Sequence, residues 1–142
     1  MIMPEVYVLV DAMRTDSTRH KSVAAWLRRA LEGPETVGLS ELVLSGAVRV
    51  LTHPQVFSPP TPPALAVEFA SAMRTSANVV ALRPGERHWE IFASLCTGAN
   101  AKGNLVADAY HAALAIENGA TWVTTDRDFA RFPGLRWRHP LE

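Results

Sequence analysis

Two kinds of segment alternate along this chain. Short apolar runs have the length of buried strands: "MIM" (1–3) before Pro4, "ETVGL" (35–39), "NVVAL" (78–82) and "TWVTT" (121–125). "GLRWRHP" (134–140) predicts a last strand or tail. The longer segments between them repeat apolar residues at helical spacing, beginning with "VYVLVDAM" (6–13). In "STRHKSVAAWLRRALEG", Val23, Trp26, Leu27 and Ala30 share one face, Ser17 or Thr18 stands where a cap belongs, and Gly33 ends the pattern. Ser40 is placed to cap "ELVLSGAVRVLTH" (41–53), which stops before Pro54. "PQVFSPPTPP" carries five of the ten prolines and predicts a turn-rich connector. Helices are expected over "PALAVEFASAMRTS" (63–76), "GERHWEIFASLCTGA" (85–99) and, most strongly, "GNLVADAYHAALAIENGA" (103–120), where Gly119 is the stop signal. "DRDFARF" (126–132) predicts a short helical turn. Strands alternating with helices imply one α/β domain over residues 1–142, with a central parallel sheet flanked by helices on both faces.

Composition narrows the class. The 142 residues suit one domain, and 48% hydrophobic with 20% charged residues excludes disorder, collagen-like repeats and coiled-coil rods. A single cysteine, Cys96, excludes an internal disulfide framework and a cysteine-rich zinc ribbon. No apolar stretch approaches the roughly 18 residues of a membrane span. "MIMPEVYVLV" lacks a basic leader region, so the expected location is the cytoplasm, with no membrane partner. The formal net charge is +0, which argues against a protein that simply coats nucleic acid. Of the fourteen basic residues only Lys21 and Lys102 are lysine, and arginine forks suit phosphate.

The acids fall where an open parallel sheet places its chemistry, at the carboxyl ends of strands. Glu5 follows the first run and Glu41 the second; Asp126 follows "TWVTT", with Asp128 two residues on. An acid at such a place also has a plain role, favourable charge at a helix N-terminus. Asp108 is different. Leu105, Ala109, Ala112 and Ile116 form the expected buried stripe of its helix, and Asp108 lies at the stripe's edge, with Asn104 one turn before and His111 one turn after. A carboxylate there needs a cation or a partner such as Arg127. Glu5, Glu41, Asp108 and Asp126, converging on one sheet edge, would make a hard oxygen site for Mg²⁺ or Mn²⁺. No glycine-rich phosphate loop and no G-x-S-x-G elbow is present.

At these residues the chain resembles the PIN-domain ribonucleases, and within them the VapC toxins of type II toxin–antitoxin pairs. The likeness runs through "RTDSTRHKSVAAWL", "GLSELVLSGAVRVLTHPQVF", "RHWEIF" and "GNLVADAYHAALAIENGATWVTTDRDFARFPGLRW", in that order. The resemblance implies that Glu41, Asp108 and Asp126 occupy three acidic positions of the family, with Asp128 an accessory acid. It also implies Mg²⁺-dependent endonucleolytic cleavage of RNA, of the tRNA or ribosomal RNA class, a VapB-like antitoxin and a homodimer. Glu5, Asp108 and Asp126 are then the expected metal ligands and Asn104 a further accessory. Arg127 and Arg131 become the candidates for contact with RNA or antitoxin.

The first motif departs from the family. Asp, one residue, then Asn or Thr is usual there; this chain has "EVY", Glu5 and Tyr7. An alternative register uses Asp11, after the strand-like "VYVLV"; the spacing from Glu5 to "DSTRH" favours Glu5, because using Asp11 erases the first helix. Glu5 keeps the charge one methylene further out, and Tyr7 loses an orienting amide. The expected function is a metal-dependent endoribonuclease toxin. The alternative is a weakened or silent PIN-fold module that binds RNA or antitoxin. A phosphotransfer receiver is disfavoured, since Arg83-Pro84 follows "NVVAL" and neither lysine sits late in the chain.

Overall fold

Short runs of three or four residues, largely apolar in all but the last, become the five strands of one parallel sheet in the computed structural model, which describes residues 1–142. In chain order these are β1 (Ile2–Pro4), β2 (Val37–Ser40), β3 (Val79–Leu82), β4 (Thr121–Val123) and β5 (Arg136–Arg138). Their order across the sheet is β3-β2-β1-β4-β5. Ile2 sits in register with Val37 on one side and Thr121 on the other. All residues of β1 and β2 are buried, as expected of strands covered on both faces. The edge strands are more open, and β5 places charged Arg136 and Arg138 on its edge, which discourages pairing with other chains.

The helices are α1 (Val6–Met13), α2 (His20–Glu32), α3 (Glu41–Leu51), α4 (Pro63–Arg74), α5 (His88–Gly98) and α6 (Asn104–Glu117). α1 packs on α2 and α3, and α3 on α4; α5 packs on α6 as a separate pair. Right-handed crossovers explain this division. Moving from β1 out to β3 lays helices on one face, and returning past β1 to β4 lays them on the other. The chain thus reverses its direction of winding beside β1, and the crevice between the carboxyl ends of β1 and β4 is the topological switch point where such sheets bind ligands. Beneath it the fully buried Trp122 stacks on His111, 5.3 Å between ring centroids, and meets Phe129 of the 3-10 turn Arg127–Arg131.

Several local expectations hold. The Val43 N–H donates to Ser40 Oγ at 3.1 Å, capping α3, and Gly119 adopts φ +60° after α6. Three are corrected. α2 begins at His20 behind Arg19, not at a Ser17 or Thr18 cap, because the Ser17 hydroxyl donates instead to Asp11 Oδ1 at 2.7 Å. α5 begins at His88 rather than Gly85, because the Gly85 and Arg87 amides are taken by the Glu117 carboxylate. The buried face of α6 is wider than one stripe: His111, Ala113, Leu114 and Ala115 are buried together with Ala109 and Ala112.

Candidate metal centre at the carboxyl end of the sheet

Glu5 is the hinge between β1 and α1. The strand ends at Pro4, the helix starts at Val6, and Glu5 holds the N-cap position with extended backbone (φ −80°, ψ 161°). Its amide donates to the Val123 carbonyl at 2.9 Å, which ties it to the end of β4. The side chain is buried, 8% exposed, and closes no cap hydrogen bond. Burial pushes its carboxyl up to about 7; the Tyr7 amide opposes this, and the negative charges of Asp108, Asp126 and Asp11 add to the rise.

Asp108 comes from the first half of α6 and is half-buried. Burial and the neighbouring Asp126 push it up to about 6, Asp128 adds to the rise, and Arg131 opposes it. Asp126 is exposed, three residues past the end of β4. Its amide donates to the hydroxyl of fully buried Thr124 at 3.0 Å, and its Oδ1 accepts the Asp128 N–H at 2.9 Å, capping the 3-10 turn. Glu5, Asp108 and Asp126 therefore share one electrostatic neighbourhood at the switch point. No protein cation neutralises Glu5, and Asp108 feels only Arg131, which also pairs with Asp128 at 3.7 Å.

The other expected site residues divide. Glu41 begins α3, but its exposed carboxylate turns to Arg74 at 3.3 Å, and the acids that raise Glu5 and Asp108 are others. The register predicted its backbone address; nothing in the sequence pairs it with an arginine 33 residues away. Asn104 is exposed in the first turn of α6. Arg131 stands at the rim beside Asp108, whereas Arg127 is drawn to Glu142. Asp11 lies within α1, not at a strand end, with its Oδ1 held by Ser17. It still contributes to the field on Glu5, a role that the spacing of six residues did not suggest. Tyr7, in the first turn of α1, leaves half its surface in solvent. His111 is buried, with Nδ1 unpartnered, and burial lowers it to about 4.

A divalent cation fits the chemistry of Glu5, Asp108 and Asp126. A carboxyl raised by burial and by three like charges is stabilised in its ionised form by a hard cation, and all the available donors are oxygens. No trio of carboxyl, imidazole or thiol groups is drawn to chelating distance in this structure. Asp126 is the exposed member, and rotating an exposed side chain costs little.

The PIN domain model matches residues 3–135. The VapC ribonuclease Mb2897 of Mycobacterium bovis is 45% identical over 142 residues, covering 100% of this chain and 97% of the relative. Among solved structures, VapBC2 of Rickettsia felis, bound to a DNA fragment from its promoter, matches with TM-score 0.71 at 19% identity, over 98% of each chain. VapC20 of Mycobacterium tuberculosis, described as a sarcin-ricin loop cleaving toxin, matches with TM-score 0.68 at 20% identity, over 96% of this chain and 99% of that one. At those identities the structural likeness speaks for the fold.

Proposed function

This chain belongs to the PIN-domain family as one of its VapC ribonucleases, and from that premise we propose that Glu5, Asp108 and Asp126 hold the divalent ion of its RNA-cleaving site. It is an endoribonuclease, the toxin of a toxin–antitoxin module. The observation that carries the proposal is the buried Glu5 carboxyl at the switch point, unneutralised by any cation and raised by the charges of Asp108 and Asp126.

Mg²⁺ is the ion we assign, with Mn²⁺ as an effective substitute because it is less demanding of ideal octahedral geometry. Bound there, the ion would supply polarisation of a phosphodiester oxygen and acidification of a water for in-line attack. The chain's own groups do the rest. Glu5, at about 7, carries a proton in part of the molecules at neutral pH and releases it when its carboxylate is engaged. Asp128 and Asn104 flank this centre as accessories. Arg131, set between Asp128 and Asp108, holds RNA phosphate at the rim, with Arg127 beside it once released from Glu142. Glu41 acts next to the centre rather than inside it, since Arg74 holds its carboxylate aside.

The substrate we assign is a structured RNA of the tRNA or ribosomal class; the description of VapC20 supports the ribosomal class. A VapB-like antitoxin and a homodimer complete the assembly, and the VapBC complex among the solved neighbours supports the antitoxin. No helix is long and apolar enough to cross a membrane, and a cytoplasmic location fits a toxin that meets cellular RNA.

Cleavage of RNA by the purified chain tests the reading. Chelator should stop it, Mg²⁺ should restore it, and Asp108→Asn should lower the rate by about 100-fold or more, beyond the range of losses seen around metal ligands. Cleavage that ignores chelator would contradict it.

A further inference from the structure

Away from the acids, one face of α2 and the chain that follows β5 enclose a cavity of about 550 Å³. Trp26 and Arg29 line one side, and Arg138, Pro140 and Leu141 the other. We propose that this cavity binds a free mononucleotide, with the phosphate on the two arginines and the base against Trp26. None of Glu5, Asp108, Asp126 and Asp128 lines it, so it is a second site, apart from the one assigned to RNA cleavage.

Helical spacing builds one wall. Ser22, Ala25, Trp26 and Arg29 stand at i, i+3, i+4 and i+7 of α2, a face about 10 Å long at 1.5 Å per residue. Ala25 leaves room in the middle of it. Trp26 is half-buried between this face and the buried stripe of Val23 and Leu27, so core packing fixes its ring while part of it stays open to the cavity. The opposite wall is anchored by Pro140, which is buried, two residues past Arg138 at the end of β5.

Charge sets the phosphate end. Arg29 is exposed and pairs with no carboxylate. Arg138 has only Glu35, at 3.5 Å, and both side chains are about half exposed, a weak pair that an incoming dianion displaces readily. The one carboxylate in the lining, Glu142, is already taken by Arg127. Two guanidinium forks match the oxygens of a phosphate monoester. An indole held in place gives a base a surface to stack on at little cost in freedom. A bare phosphate leaves Trp26 and the exposed Leu141 uncovered, and an uncharged ring leaves both arginines unused; a mononucleotide engages both ends. The volume lies within the roughly 300–1,000 Å³ of small-ligand sites.

Adenosine 5′-monophosphate titrated into the intact chain in chelator, followed by NMR, tests the proposal without any cleavage. It should bind saturably, shift the Trp26 indole N–H resonance, and bind about tenfold or more tighter than inorganic phosphate or adenosine alone. Arg29→Glu and Arg138→Ala should each weaken it about fivefold or more. Both positions are exposed, and an unchanged melting curve with an unchanged rate of RNA cleavage shows that the fold and the metal centre are intact. Equal binding of adenosine monophosphate and inorganic phosphate would overturn the proposal, leaving only an anion-attracting surface. So would binding untouched by Arg29→Glu and Arg138→Ala, or shifts confined to Asp108 and Asp126. An RNA oligonucleotide with a 5′-phosphate that displaces adenosine monophosphate at equal affinity would also overturn it, assigning the cavity to an RNA chain.

Discussion

Helix α6 carries a carboxylate near each end, and the two live in opposite circumstances. Glu117, in its last turn, accepts the Gly85 amide at 2.7 Å and the Arg87 amide at 3.0 Å. A Cβ at Gly85 would stand 2.8 Å from Glu117 Oε2, so a larger residue there would push the carboxylate aside. Asp108, in the second turn, has no such donors; its nearest charged influences are two acids and one arginine, and it is raised to about 6. A carboxylate satisfied by backbone amides organises the chain around it. One left unsatisfied beside others retains an electrostatic cost that only a ligand can relieve. The first fastens the loop before α5 to the last turn of α6, and the second stands at the proposed metal centre.

The sharpest way to break this contrast is to remove the unsatisfied charge from Glu5. Its folded value, about 7, lies above its ordinary 4.5, so the neutral form is favoured in the folded state. That contribution to stability is full below about 4.5 and is lost as pH rises through about 7, a fall of about 3 kcal/mol at 1.36 kcal/mol per unit. In chelator at pH 8, Glu5→Gln should therefore raise Tm by the equivalent of up to about 3 kcal/mol, with little change at pH 4 and with cleavage abolished. A Tm difference that is the same at both pH values would remove burial of the charge as its cause.

Glu117→Ala should do the opposite. It hands two exposed amides over to water and should lower stability by about 1–2 kcal/mol while leaving divalent-ion affinity unchanged. Thermal melting and an ion titration on the same sample check both halves. A loss of ion affinity there would show that the loop before α5 shapes the site.

The smallest expected effect concerns the first motif. Glu5→Asp with Tyr7→Asn restores a shorter acid and an orienting amide, and should raise the cleavage rate with Mg²⁺ by about tenfold. The gain should be smaller with Mn²⁺, which tolerates the longer Glu5. Equal rates with both ions would mean that the crevice accommodates Glu5 and Tyr7 as they stand.

Much of this was legible in the residues because it is local. Ser40 followed by a periodic segment announces the cap and the start of α3, and "VYVLVDAM" after Pro4 forms α1, which leaves Glu5 at the strand end and Asp11 inside a helix. Gly119 stops α6 where a left-handed residue is needed. What escaped the sequence is which partner a polar group takes. Arg74 takes Glu41 from 33 residues away, Glu117 takes the amides that would have begun α5 earlier, and Asp11 takes the hydroxyl expected to cap α2. Each is a competition between partners brought together only by the fold, and periodicity carries no information about who wins. The aromatic stack of His111 on Trp122 is of the same kind: helical period alone did not separate a buried histidine from one at the surface.

The central claim is that Glu5, Asp108 and Asp126 act together on one divalent ion. Calorimetric titration of Mn²⁺ into chelator-stripped protein, beside Asp108→Asn and Glu117→Gln, tests it most directly. The account predicts one site per chain in the parent, released protons at pH 7 as Glu5 ionises, loss of binding in Asp108→Asn and unaltered binding in Glu117→Gln. Equal affinity for Mn²⁺ in the parent and Asp108→Asn would contradict it.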